Sequence, residues 1–515
     1  MRKKPDKYRR ICMAALVLVL ALGSFLSLAF FYGPSPINGA DNYLYSDFAH
    51  RLSQGNLRAV ADSGVLAQQY ILIAGIAAFY TLLGPSRLSS SLFGVMCFLL
   101  TLIALYLMGT KLYGRRAGLL SAFFYAFNPI AVINSSYVGD NGPMALLVSL
   151  CIMFAVFAIK EDKTGKRHLY YALSGFFSLI GILVTSQSIL ILPVAGIIVL
   201  FYAIKDRDKK ALINVGFFAV GIAMALSVIM LLGMYAHNDP LYILTLNSRI
   251  YSSLPGALPQ FNNYVGWLFP SLPQNLNNLF NVHAIQYGAN QSDGLFGYFA
   301  AIGLLYLIVQ RDRRVLVPVL WFAFTFLYLG LGTLSFSRYI PIGLAYPRLM
   351  LIFIPAMALI MGFAASNVLA FKKAGPLNYL SIVLLVAMIS FLFLNSLLII
   401  RYIDLSQYAY IEPLLQISKF IGTLPANATI YSPAIPLSLY THYRYSIMGM
   451  PAINANCSLM RSDSYVVMDP NASVESACNL QKLFAPQPQT ELAQYDLFKY
   501  SSFGVYDGVA LYHHG

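Results

Sequence analysis

Lysine and arginine in this chain of 515 residues gather in short gaps between long apolar stretches, and they do so at every second gap. A sequence that is 58% hydrophobic and 10% charged cannot cover such stretches with a polar surface, so a soluble fold is excluded. The stretches run over 11–31, 88–110, 117–137, 142–159, 169–185, 187–204, 211–235, 294–309, 315–337, 349–371 and 376–400. Most come near the ~20 residues that carry a helix across ~30 Å of hydrocarbon. A further run, 67–83, opens on two glutamines and is barely long enough to span.

Positive charge decides the threading, because Lys and Arg near span ends stay on the cytoplasmic side. If 67–83 does not cross, the clusters KLYGRR, KEDKTGKR, KDRDKK, RDRR and KK join the N-terminal MRKKPDKYRR inside. If it crosses, all five fall outside. The first arrangement is expected: eleven spans, N-terminus in, C-terminus out, with 67–83 a helix at the outer interface. The N-terminal apolar run is too long for a signal-peptide core and reads as an uncleaved first span. The net charge of +14 is then a topology signal and calls for no nucleic-acid partner.

This threading divides the chain into a membrane domain, 1–403, and an extracytoplasmic domain, 404–515. Two outer loops belong to the first: 32–87, with its interfacial helices, and 236–293, rich in Pro, Asn and aromatics. In the tail, IEPLLQISKFIGTLP reads as an amphipathic helix ended by Pro425. The runs ATIYSP, YRYSIMGM, SYVVMD and GVALYHH read as strands, so a small α/β domain is expected. Cys457 and Cys478 are its two cysteines, left open between a disulfide and two thiols. Among five outward glycosylation sequons, Asn134 lies too near the membrane for modification.

No ionisable residue falls inside a proposed span, which counts against an ion-coupled carrier. Polar chemistry collects at the outer surface instead. GADNYLYSDFAHRLSQGNLRA is an amphipathic helix with Asp41 at its start, and Asp140 stands in NSSYVGDNGPMALL between the third and fourth spans. Each acid is placed to cap a helix. Two acids on one face can also accept a proton, position a nucleophile or hold a divalent cation. Asp47 is expected on another side of the helix, in solvent.

The run from Asp41 through Asn42, Tyr45, Phe48, Ala49 and Leu52 to Gly55 resembles the first-loop motif of GT-C type membrane glycosyltransferases. More narrowly, it is similar to the dolichyl-phosphate-mannose protein mannosyltransferase and aminoarabinose transferase branch. LLGPSRLSSSLFG and KLYGRRAGLLSAFFYAFNPIAVINSSYVGDNGPMALL continue the likeness, and AYPRLMLIFIPAMALIMG resembles that branch's Arg-containing span. The match is good over 35–160, patchy over 338–365 and architectural elsewhere.

The resemblance implies an inverting transferase that moves a sugar from a polyprenyl (dolichyl) phosphate to a protein, lipid or glycan hydroxyl on the outer face. It casts Asp41 as general base and Asp140 as the second acid. Arg348 and Arg338 would meet the leaving lipid phosphate, while Arg87 is divided between that role and interfacial anchoring. Asn42 replaces the second of two adjacent acids found in many relatives, which puts paired-carboxylate metal binding in question. A divalent metal ion is the one cofactor expected, with Asp41, Asp140 and His237 as its candidate ligands. The tail lacks the tryptophan-aspartate signature of oligosaccharyltransferases, so en bloc oligosaccharide transfer is not expected. The expected location is a prokaryotic, archaeal-style plasma membrane. The competing reading is a non-enzymatic lipid or glycan transporter, or an assembly factor.

Overall fold

The computed structural model describes residues 5–32, 40–56, 69–205, 210–251, 295–311, 313–332, 347–369, 416–425 and 428–431. It also describes 446–448, 464–468, 480–484, 510–514 and scattered positions over 265–269 and 383–397. Outside them lie most of the loop 236–293, most of the last expected span, and Arg338, Cys457 and Cys478.

Fourteen described helices are used below. The first seven are α1 (Pro5–Tyr32), α2 (Ala40–Ser53), α3 (Tyr70–Leu83), α4 (Arg87–Tyr113), α5 (Arg115–Ala126), α6 (Pro129–Ser136) and α7 (Asn141–Ile159). The others are α8 (Thr164–Ile180), α9 (Ile191–Lys205), α10 (Lys210–His237), α11 (Tyr242–Tyr251), α12 (Phe296–Val309), α13 (Leu316–Leu331) and α14 (Ile354–Leu369). Among the described residues four stretches are long and apolar enough to cross a membrane: Arg87–Tyr113, Asn141–Ile159, Ser186–Ile204 and Leu212–His237. The pair α5 and α6 makes a fifth when taken as one span. The chain is a multi-pass membrane protein.

Local sequence sets the breaks. α4 begins at a capping box in which the Ser89 amide donates to Ser86 Oγ and the Ser86 amide donates to Ser89 Oγ. It stops at Gly114, whose φ of 101° suits a residue without a Cβ. The expected single span 117–137 is instead two helices bent by 64°. Pro129 has no amide hydrogen to continue the ladder from α5, and the Asn128 side chain accepts from the Ala131 amide at 2.9 Å to start α6 afresh.

The main core joins α1, α4 to α7, α9 and α12 to α14 through Phe98, Leu105, Tyr125, Val148, Trp321 and Phe353 among others. Polar ties run through it. Ser174 Oγ of α8 donates to the Cys151 carbonyl of α7 at 2.9 Å. Trp321 Nε1 donates to the Ile352 carbonyl at 2.8 Å, holding the 3-10 segment Pro347–Ile352 to α13. Trp321→Phe strands that buried carbonyl, and its expected cost is about 1–3 kcal/mol, read as a lower thermal midpoint in detergent.

α3 is a 14-residue helix, about 21 Å long at 1.5 Å per residue, and so shorter than the hydrocarbon layer. Its start, at Tyr70 and Ile71, packs with Leu179 and Ile180 at the end of α8 and with Ile229 in the last half of α10. Its end, at Tyr80, bonds to Ser90 in the first turn of α4. In the threading read from charge, these are all outer ends of their helices. That is the arrangement expected of a helix lying along the outer face.

In the tail, residues 416–421 are helical, with Ile417 and Ile421 buried, and the chain turns before Pro425. Five strands follow among the described residues: β1 (Thr429–Tyr431), β2 (Ser446–Met448), β3 (Ser464–Met468), β4 (Leu480–Phe484) and β5 (Ala510–His514). They form one mixed sheet in the order β2-β1-β3-β5-β4. β1 runs parallel to β2 and β3, whereas β5 is antiparallel to β3 and β4. Sequence reading found four of these strands. It missed β4, whose LQKLF carries no β-branched residue.

Candidate active site

α2 is short, and a 14-residue helix in isolation is marginal, so its position comes from packing. Tyr45, Phe48 and Ala49 are buried against Leu72, Ile73 and Ile76 of α3 and against Phe93 and Cys97 of α4. The same cluster takes in Val138 and Leu146. Val138 stands two residues before Asp140. Apolar packing thus seats the helix that carries Asp41 on α3, within a cluster that reaches through α4 to the turn that carries Asp140.

Asp41 is the second residue of α2, inside its first turn rather than at the preceding cap position. Its side chain lies outside what the structure describes. Asp140 does hold the cap position of α7, with φ −75° and ψ −17°, yet its side chain makes no capping hydrogen bond. Asn141 after it is buried, and Pro143 sits in the first turn. α4 comes close beside this turn: a Cβ on Gly94 would lie 2.6 Å from the Ser135 carbonyl oxygen. Arg348 belongs to the 3-10 segment Pro347–Ile352, which packs on both α6 and α7. Arg87 is the first residue of α4 and is half-buried. The Arg348 segment therefore packs on the two helices that flank the Asp140 turn, while α2 is joined to that turn through the apolar cluster it shares with α3 and α4.

Asp47 differs from expectation. It is not solvated but largely buried, and Arg51 one turn later pairs with it at 2.7 Å. Loss of water around the carboxylate raises its pKa, and the nearby Arg51 charge only partly offsets this. His50 is held below its ordinary 6.5 by desolvation, with Asp47 pulling the other way. Unfolded chains therefore protonate His50 first, so stability is full above 6.5 and drains away as pH falls through that value. His50→Gln should flatten this limb of a plot of thermal midpoint against pH, leaving the rise expected from Asp47 at lower pH.

His237 ends α10 and stacks on Tyr242 at 3.7 Å between ring centroids. Among the described residues no three His, Cys, Asp or Glu side chains gather as a metal site. Asn134 is buried in α6, where its Nδ2 donates to the Ile130 carbonyl at 2.8 Å.

Sequence reading passed over one feature. The Tyr80 hydroxyl of α3 is hydrogen bonded to Ser46 Oγ of α2 and, at 2.6 Å, to Ser90 Oγ of α4. All three residues are buried. Burial raises the Tyr80 phenol above its usual range, so it stays protonated. The available signal was a tyrosine near the end of an apolar helix, followed ten residues later by SSS.

The family model described as dolichyl-phosphate-mannose-protein mannosyltransferase matches residues 71–235, a stretch that includes Arg87 and Asp140 but not Asp41 or Arg348. Among solved structures, ArnT from Cupriavidus metallidurans in the apo state superposes with a TM-score of 0.62 at 12% identity, over 100% of this chain and 99% of that one. The same protein bound to undecaprenyl phosphate gives 0.62 and 12%, over 99% and 98%. The Archaeoglobus fulgidus oligosaccharyltransferase tethered with an acceptor peptide gives 0.50 and 12%, over 90% of this chain and 69% of that one. No curated protein sequence matches the chain. At such identity these structures show a shared fold, and together with the family match they agree with the GT-C likeness of the first-loop motif.

Proposed function

We propose that this chain, whose fold is that of the GT-C membrane glycosyltransferases, transfers a sugar from a polyprenyl-phosphate donor to a hydroxyl acceptor at the outer membrane face. One observation carries the reading: the Arg348 segment packs on α6 and α7, the helices that flank the Asp140 turn, and the apolar cluster that seats α2 on α3 takes in Val138 of that turn. The binding of undecaprenyl phosphate by a protein of the same fold supports the choice of donor.

In the proposed reaction, the Asp41 carboxylate takes the proton of the acceptor hydroxyl. The freed oxygen attacks the anomeric carbon while the bond from that carbon to the phosphate oxygen breaks. The electron pair leaves on the polyprenyl phosphate. A single displacement inverts the anomeric centre. Arg348, with Arg338, meets the charge that develops on the leaving phosphate, where a fixed guanidinium acts more strongly than water. Asp140 orients the acceptor. Asp41 and Asp140 are the carboxylates a divalent cation would use, but each step above needs only residues of the chain. The extracytoplasmic tail, 404–515, would cover the site, and the acceptor would be a protein, lipid or glycan.

The test is transfer from a set of radiolabelled polyprenyl-phosphate sugars by the purified full-length protein. Turnover with one donor supports the reading and identifies the sugar. Donor binding without turnover of any donor overturns it in favour of a transporter or assembly factor. Arg348→Ala should lower kcat about 100-fold, with Arg348→Lys recovering part of the loss, since a lysine supplies charge without the two-pronged geometry.

A further inference from the structure

We infer that Tyr80 is a positioning residue: its hydroxyl, joined to Ser46 and Ser90, sets where α2 stands and hence where Asp41 meets its substrate. The inference rests on the transferase reading and adds to it a residue from outside the reacting groups.

α2 adheres to its neighbours mainly through Tyr45, Phe48 and Ala49, and such contact is non-directional. A helix held in this way can slide or roll by a fraction of an ångström at small cost. Hydrogen bonds fall off steeply with angle and distance, so they fix register where apolar packing does not. Ser46 lies at the middle of α2 and is fully buried. Its bond to Tyr80 ties that midpoint to α3, and the bond from Tyr80 to Ser90 carries the tie on to α4.

The far end of the chain is anchored in turn. Ser90 Oγ donates to the Ser86 carbonyl at 2.6 Å, beside the capping box that begins α4. α4 is one of the long membrane helices, packed by Phe98, Leu102 and Leu105 into the main core. A short helix is thus referred, through one phenol, to a long helix packed into the main core. Asp41 precedes Ser46 by five residues, about 7.5 Å along the axis, close enough for the position of one to govern the other. Misplacement of a reacting group by about 1 Å is enough to cost roughly 100-fold in rate.

α3 is otherwise apolar apart from Tyr70 and Thr81, and Thr81 bonds back to the Ala77 carbonyl of its own helix. Packing alone would be served as well by phenylalanine at position 80. The hydroxyl there is explained by its two partners.

The test uses Tyr80→Phe in the full-length protein, a change that removes one oxygen and keeps the ring. Amide exchange over α2 should quicken about 5–10-fold while exchange over α7 stays the same. The value of kcat should fall about 10-fold or more, with KM for the lipid donor within about 2-fold. Ser46→Ala combined with Tyr80→Phe should be no worse than Tyr80→Phe alone, as expected of two groups acting through one bond. Unchanged α2 exchange overturns the inference, and so does unchanged kcat in the face of faster exchange. Equal quickening over α2 and α7 also overturns it, since the phenol would then serve general stability. If the wild type turns over no donor, the transferase reading falls and catalytic positioning falls with it. The exchange arm then shows separately whether Tyr80 anchors α2.

Discussion

Asp41→Asn is expected to lower kcat about 10³-fold while expression, thermal midpoint and donor binding stay near those of the wild type. A positioned general base contributes typically 10²–10⁴-fold, and an amide cannot take the acceptor's proton. The substitution keeps size and shape, and losing one negative charge in the first turn of α2 costs only about 0.3–1 kcal/mol of helix-dipole interaction. That makes the variant discriminating. If Asp41 served only to start α2, asparagine would serve as well and turnover would persist. The rate is read as single-turnover transfer from labelled donor, with donor affinity measured separately. A loss confined to the chemical step assigns the base; a loss shared with affinity assigns Asp41 to binding instead.

Gly221→Val is expected to abolish a stable folded protein, the largest structural effect of any single change considered. A Cβ at Gly221 would lie 1.9 Å from the Ala172 carbonyl oxygen, and one at Gly175 would lie 2.0 Å from the Phe218 carbonyl oxygen. The two glycines therefore set the approach of α8 and α10 from opposite sides. The obstacle in each case is backbone, which cannot rotate away as a side chain would. Small residues that let helix backbones meet are a recurrent basis of packing in membranes, where apolar side chains gain little over lipid. Prising the pair apart should cost about 3 kcal/mol or more. It would also disturb the cluster of Leu179, Ile180, Ala225 and Ile229 against which the start of α3 rests. The measurement is monodispersity on size exclusion and thermal midpoint in detergent. Gly196→Ala serves as control, because a Cβ there meets nothing within 4 Å. A Gly221→Val protein as stable as the wild type would show that α8 and α10 do not depend on this contact.

The candidate site was legible in unequal parts. That Asp41 and Asp140 stand at helix starts could be read, because an acid before a periodic apolar run leaves a mark in the sequence itself. Asp47 was misjudged, since helical spacing says which way a side chain leaves its own helix and not what another segment brings to cover it. Arg51, one turn on, is visible in the sequence, but the desolvation of Asp47 comes from packing. Asn42 shows the same limit. Its place among the buried residues of α2, one turn before Ser46, comes from what packs against that helix. The break of the expected span 117–137 was signalled by Asn128 and Pro129, although hydropathy alone runs straight across it.

By itself the sequence determined that this is a membrane protein, which gaps carry its positive charge, and which acids begin helices. These are properties of neighbours along the chain, governed by transfer free energy and by the satisfaction of backbone groups at helix ends. Only the tertiary structure decided which of those helices meet. The seat of α2 on α3, the approach of the Arg348 segment to α6 and α7, and the joining of Ser46, Tyr80 and Ser90 all depend on contacts between distant segments. Such contacts follow from the shapes of packed side chains, and shape complementarity between two helices is written in neither of them alone.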